Sequence, residues 1–218
     1  MFTEEYFEFF IELTMNNTKT WFDENRNTYE KKVRPTFVDF ALSLQNRLAE
    51  INPQFKENDA RKSIFRINRD IRFSKDKTPY KTFMSVILSP HGSKSMQAGG
   101  LYVEVGPEKC ALYSGNYMPE KQELQNIRQR IFTNSAKFES ILKEKNFVKH
   151  WGHMRGEQNK RIDKPFMEMA AKVPALLNKQ FYIMHTFEPE RSLEPDFINY
   201  CAQVYESSIP FNQFIMGN

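Results

Sequence analysis

Gly99-Gly-Leu-Tyr-Val-Glu-Val-Gly-Pro-Glu-Lys-Cys-Ala-Leu-Tyr-Ser-Gly-Asn-Tyr117 is the stretch that decides the fold class of this chain. Leu101, Val103 and Val105 alternate with Tyr102 and Glu104, the period-two pattern of a half-buried strand. Gly106-Pro107-Glu108 is a turn, and Cys110 to Tyr117 reads as the returning strand. Two strands joined so closely pair antiparallel. Upstream, Thr82 to Leu88 reads as another strand, ended by Pro90 and His91-Gly92. Downstream, Phe181 to Phe187 reads as a late edge strand.

Helices flank this sheet. Thr3 is a candidate N-cap, Glu4 and Glu5 suit a first turn, and Tyr6, Phe9, Phe10 and Leu13 recur at helical spacing. Asn16 and Asn17 end that helix. A second runs from about Lys19 with Trp21, Asn25 and Tyr29 on one stripe, until Pro35 breaks or kinks it. The pattern resumes with Phe37, Phe40, Ala41, Leu44, Leu48 and Ile51. Helix returns after Pro119, expected at a first helical position, with Leu124, Ile127, Arg128 and Ile131 as its stripe. A further helix covers about Ser135 to Lys145, residues 147–163 read as irregular, Pro165 to Lys172 as a short helix, and Pro195 to Glu206 as the last. The expectation is a single α+β domain over 1–218, with an antiparallel sheet of four or five strands packed by N-terminal and C-terminal helices. Its helical parts are 1–60 and 119–218, and its sheet lies in 61–118 apart from the late strand.

The chain has 218 residues, 40% of them apolar and 20 of them Phe, enough for a core dominated by aromatic packing. No window approaches 18 consecutive apolar residues, and the acidic, amphipathic start does not read as a secretory signal. Cys110 and Cys201 fit no metal or redox spacing and read as free thiols, so the cytoplasm is the expected location. No cofactor is evident from sequence, and nothing in it specifies an oligomeric state.

Charge is uneven. Residues 61–81 hold eight basic and two acidic side chains, a local +6 in a chain of net +4, so the remainder carries −2. Within this segment residues 63–73 alternate. Phe65, Ile67, Ile71 and Phe73 share a face with Arg69, and Arg66, Asn68, Asp70 and Arg72 share the other. Period two predicts a strand, although Arg66, Arg69 and Arg72 are also spaced for a helix. Guanidinium forks such as Arg66 and Arg72 grip carboxylate or phosphate. Lys75, Lys77 and Lys81 follow in a loop stiffened by Pro79, and Phe73 and Tyr80 offer rings on which a base or sugar stacks. An anionic, partly flat ligand fits: a nucleotide, a phosphorylated metabolite or a nucleic-acid strand.

Three readings stand side by side. The segment is a binding site for an anionic, phosphorylated or nucleotide-like ligand; it is part of an enzyme acting on such a ligand, with Asp70 or Asp76 as the catalytic carboxylate; or it is the basic face of a non-catalytic adaptor. Against all three stands a structural lattice of ion pairs, with Glu104 as a cross-strand partner and Arg69, on the apolar side, as the structural arginine.

The run Arg66-x-x-Arg69-Asp70-x-Arg72-Phe73, followed by Lys75-Asp76-Lys77-Thr78-Pro79-Tyr80-Lys81, resembles the signature of a widespread, mainly bacterial family known as domain of unknown function 2461. Trp21-Phe22, Asn25-Arg26, Gly115-Asn116-Tyr117-Met118-Pro119 and the Leu124 to Arg128 helix are similar to it too. The resemblance covers nearly the whole chain and implies a domain of this length, without an established activity. Members typically carry His where this chain has Phe83, and a bulkier ring where it has Asn68.

Other constellations carry less. His150 and His153 are three apart, but a zinc site needs three or four ligands, and no thiolate or carboxylate partner lies near in sequence. No metal is expected. There is no Gly-x-Ser-x-Gly elbow and no phosphate-cradling glycine loop. A second basic run, Arg155, Lys160, Arg161 and Lys164, would widen a positive cleft if the fold placed it beside the first.

Overall fold

The computed structural model describes residues 1–92 and 99–217. The chain opens with helix α1 (Glu4–Met15), whose stripe of Tyr6, Phe9, Phe10 and Leu13 is buried. Thr3 takes the N-cap position with extended backbone, but its side chain makes no capping bond. At α2 (Lys19–Thr28) the Thr18 hydroxyl does cap, accepting from the Trp21 amide. A π-turn, Tyr29–Val33, then leads into α3 (Arg34–Ile51). Pro35 has no N–H for the preceding turn, and the widened winding, in which the Arg34 amide reaches back to the Tyr29 carbonyl, absorbs that loss. The break expected at Pro35 is a change of winding instead.

A four-residue helix, α4 (Ala60–Ser63), precedes strands β1 (Met84–Leu88), β2 (Leu101–Val105) and β3 (Cys110–Asn116). Next come α5 (Lys121–Thr133), α6 (Ser135–Leu142), α7 (Lys145–Trp151) and α8 (Lys164–Ala170). Strand β4 (Phe181–Phe187) and helices α9 (Phe197–Glu206) and α10 (Ile209–Met216) complete the chain. The strands form one antiparallel sheet in the order β1-β2-β3-β4, so the fold is α+β. Residues 93–98, inside the expected sheet region, lie outside the described residues.

Several boundaries differ from the sequence reading. Pro119 stands outside α5, because Glu120 takes the N-cap. The stretch read as irregular contains α7: the Glu144 carboxylate caps it by accepting from the Phe147 amide at 2.9 Å, and Phe147 and Trp151, four apart, share a buried stripe. Helix α10 lies beyond Glu206, where the last helix is expected to end, and it stops where Gly217 adopts a left-handed φ of +87°.

The strand predicted over 63–73 does not form. Ile64 and Asn68 make only isolated antiparallel bridges, to Val86 and Tyr80. The Phe65 amide donates to the Ser85 carbonyl at 2.9 Å, the Lys81 amide to Ile67 at 2.8 Å, and the Arg69 amide to Pro79 at 2.8 Å. There the pairing stops, because Pro79 has no N–H to return and the aspartates beyond it bond locally. The predicted face separates accordingly: Ile67 is buried whereas Phe73 is fully in solvent.

By their contacts the described residues gather into two compact units. The first holds 1–92, 102–112 and 186–202. Phe2 packs there against Tyr6, Phe40 and Phe197, with ring centroids 4.7, 5.0 and 6.1 Å away, and the Tyr6 hydroxyl donates to the Val105 carbonyl. The second unit holds 99–101, 113–185 and 203–217. In it Phe147 meets Phe211, Phe138 meets Phe214, and the Trp151 indole donates to Ser207 at 2.9 Å. Buried Arg128 donates to the carbonyls of Leu176 and Asn178 at 3.0 and 3.1 Å. Gly115, at φ +106°, lies so close to Phe181 and Tyr182 that a Cβ would strike their backbone.

Candidate functional site

The basic segment lies wholly in the first unit and folds as two arms, 65–69 and 79–85, joined by the loop 70–78. Asp76 organises that loop. Its Oδ1 accepts from the Thr78 amide at 2.9 Å and from the Thr78 hydroxyl at 2.8 Å, while Oδ2 accepts from Arg69 Nη1 at 2.5 Å. These donors, the Thr78 amide foremost, hold the Asp76 carboxyl down at about 2. Arg69 also donates to the Thr78 hydroxyl, and its side chain is about three-quarters covered, 27% remaining exposed.

Asp70 is engaged by Arg72 in a fork, Nε to Oδ1 at 2.9 Å and Nη2 to Oδ2 at 2.7 Å. That fork, helped by the Arg72 amide and by Arg66 nearby, holds the Asp70 carboxyl below its ordinary range. Lys77 Nζ donates to the Ile71 carbonyl at 2.9 Å. Arg66 and Lys75 are exposed, and neither has a carboxylate within 4 Å among the described residues. Phe73 stands at the loop tip with 95% of its surface in water and the Arg72 guanidinium 5.9 Å from its ring centre.

Phe73 and Tyr80, the two rings expected to flank the loop, therefore part company. Tyr80 is buried, stacked on Phe22 at 4.1 Å. Its backbone is pinned by Asn17, whose side-chain amide donates to the Tyr80 carbonyl at 3.0 Å and accepts from the Tyr80 amide at 3.1 Å. Sequence reading missed this role. Asn17 marks a helix end and stands 63 residues away, so no local pattern points to it.

At the foot of the loop lies a cleft of about 610 Å³. Arg69, Asp70, Asp76 and Lys81 line it from the segment, and Thr14 and Asn17 line it from α1 and the turn after it. Lys81 Nζ lies 5.3 Å from the Phe65 ring centre and 5.8 Å from that of Phe83. Thus Arg69, Tyr80 and Lys81 belong to the cleft, and Arg66, Arg72, Phe73, Lys75 and Lys77 belong to the arm and loop above it. Glu104, expected as a lattice partner, accepts from the Tyr102 hydroxyl and lies 3.7 Å from Lys109.

Chemically the segment offers charge, hydrogen-bond donors and one bare ring. Carboxylates held as low as those of Asp70 and Asp76 stay ionised at neutral pH and are weak bases. Cys110 and Cys201 are free and buried; burial pushes the Cys110 thiol up to about 11, away from nucleophilic reactivity. No group of three or more His, Cys, Asp or Glu among the described residues could hold a metal. Arg155, Lys160, Arg161 and Lys164 fall in the second unit. No helix among the described residues is long and apolar enough to cross a membrane.

The fold and segment define a class: α+β chains in which a four-stranded antiparallel sheet stands among helices and an arginine- and lysine-rich loop leads into β1. A family model described as "Conserved hypothetical protein (DUF2461)" matches residues 5–214, and the chain belongs to that family. No curated protein and no solved structure matches it.

Proposed function

We propose that this chain binds an anionic, phosphate-bearing ligand at the loop 70–78 and the arm beside it. The observation that carries this reading is the division of charge within the segment. Arg69 and Arg72 are matched by Asp76 and Asp70, whereas Arg66 and Lys75 are exposed and without a carboxylate partner among the described residues. Two such cations on one short arm and loop, in a segment of local charge +6, set up a positive field to which a phosphate responds. Loop 70–78 is already fixed by its own hydrogen bonds, so little ordering entropy opposes binding.

The test is a thermal-shift screen of the purified chain against nucleotides, sugar phosphates and short oligonucleotides at low and moderate salt. A ligand at a hundred times its Kd raises stability by about 2.7 kcal/mol, roughly 5–10 °C for a chain of this size. The shift should disappear in Arg66→Ala/Lys75→Ala while the ligand-free melting temperature stays within a few degrees. A flat screen, or a shift that survives the double substitution, counts against the reading.

A further inference from the structure

Phe73 is the only large apolar side chain of residues 61–81 that stands open to solvent. Ile67 and Tyr80 of the same segment are buried, so the segment has access to apolar cover. Burying a Phe side chain is strongly favourable, and the loop forgoes it. What holds the ring out is the loop's own bonding: Asp76 to Arg69 and Thr78 on one side, Lys77 to the Ile71 carbonyl across it, and the Arg72–Asp70 fork directly before the ring. A ring presented in this way is a prepared contact surface.

Its surroundings identify the contact. Arg72 holds its guanidinium over one face of the ring, 5.9 Å from the ring centre, and with 95% of Phe73's surface in water the opposite face is open. Arg66 and Lys75, the exposed cations with no carboxylate within 4 Å among the described residues, lie seven residues before and two residues after Phe73 along the chain. An open ring face for one flat group, in the same short segment as exposed cations for phosphates, is the composition of single-strand recognition, in which each base takes one ring and the backbone takes the charge. A duplex hides its base faces, and a lone phosphate has none to offer. Anchoring to a lipid surface draws on several apolar side chains or an amphipathic face, and this loop presents one ring.

Resting on the anion-binding reading above, we infer that the ligand is single-stranded nucleic acid and that Phe73 stacks on one of its bases. Recognition is then tolerant of sequence, because every base has a π-face, and sensitive to salt.

The experiment is fluorescence anisotropy of the full chain with a labelled single-stranded oligonucleotide, run beside its duplex, inorganic polyphosphate, and vesicles of phosphatidylserine and phosphatidylcholine. The single strand should bind tightest. Phe73→Ala should weaken it by about ten- to a hundredfold, the loss of one base–aromatic stack, with polyphosphate binding unchanged. Phe73→Trp should retain binding and Phe73→Leu should not, which separates stacking from apolar contact. Arg66→Ala should lower the slope of log affinity against log salt by about 0.7. Equal binding by wild type and Phe73→Ala overturns the stacking inference and leaves the anion site standing. So does a full rescue by leucine. Vesicle binding that depends on Phe73, with none to the oligonucleotide, replaces nucleic acid by a lipid surface. Binding to none of the four probes overturns the anion site as well.

Discussion

Asp76 gathers the Thr78 amide, the Thr78 hydroxyl and the Arg69 guanidinium onto one carboxylate, and it does so at an exposed position. Its carboxyl sits at about 2 instead of the ordinary 3.8. A group depressed in the folded state contributes order above its unfolded value and loses it as pH falls through the folded one. Loop 70–78 should therefore be firm above about pH 4 and loosen towards pH 2. Hydrogen exchange at Thr78, corrected for the intrinsic pH dependence, measures this. At pH 7 Asp76→Ala should loosen the loop more than Asp76→Asn, whose amide oxygen still accepts from Thr78. Protection that stays flat with pH and in both variants would remove Asp76 from this role. Arg69, three-quarters covered, is the arginine with structural weight: Arg69→Ala should lower stability by about 1 kcal/mol, whereas Arg72→Ala, which removes an exposed, solvent-screened pair, should leave the melting temperature nearly unchanged.

Between elements, the turn joining α1 to α2 meets the return arm of the basic segment through Asn17. Its side chain imitates a backbone pair, donating to and accepting from Tyr80, and so holds the root of the loop against the helices. Asn17→Ala leaves both backbone groups without this partner in a half-covered position, and should cost about 1–3 kcal/mol, a drop of several degrees in melting temperature. Asn17→Asp keeps the acceptor and loses the donor, so it should fall in between. An unchanged melting temperature in Asn17→Ala would mean that Tyr80 is held by its stack on Phe22 alone. This tie also explains what sequence could and could not tell. The hairpin of β2 and β3 was legible because alternation and a Gly-Pro turn are local signals. The end of pairing at Arg69 was not. It depends on where Pro79 falls opposite the first arm, and the alternation of 63–73 runs on past that point. Helix α7 hid for a related reason: its two buried aromatics are too few for a periodic signal, and its cap, Glu144, is a residue type not read as one. The site's charge was visible as composition. Which cations are already matched by aspartates, and which ring is buried, needed the fold.

Across the molecule, buried titratable groups set a pH window for stability, and both of its edges have a definite sign. At the acid edge, burial lowers His150 and His185 below the ordinary 6.5; their mutual approach and Lys149 depress His150 further, while the bond that His185 Nδ1–H donates to the His150 carbonyl partly offsets the effect of burial on His185. The unfolded chain then takes up more protons than the folded one as pH falls through 6.5, so stability is full above that value and declines below it. At the alkaline edge, burial raises Cys110 from 9 to about 11, and raises Cys201, Tyr6 and Tyr205 as well. There the unfolded chain gives up protons that the folded one keeps, so stability declines above about pH 9. Melting temperatures measured from pH 3 to pH 11 should show a plateau between these edges. His185→Gln, which preserves a donor but does not titrate, should flatten the acid edge and leave the alkaline edge in place. Cys110→Ala should soften the alkaline edge at the expense of about 1 kcal/mol or more for the lost packing. In Trp21→Phe protein the fluorescence of Trp151, whose ring lies 6.3 Å from that of His185, should follow the acid edge directly. If the acid edge survives His185→Gln unchanged, and in His150→Gln too, the carboxylates that titrate at lower pH and not the imidazoles set it, and the edge should then lie nearer pH 4 than pH 6.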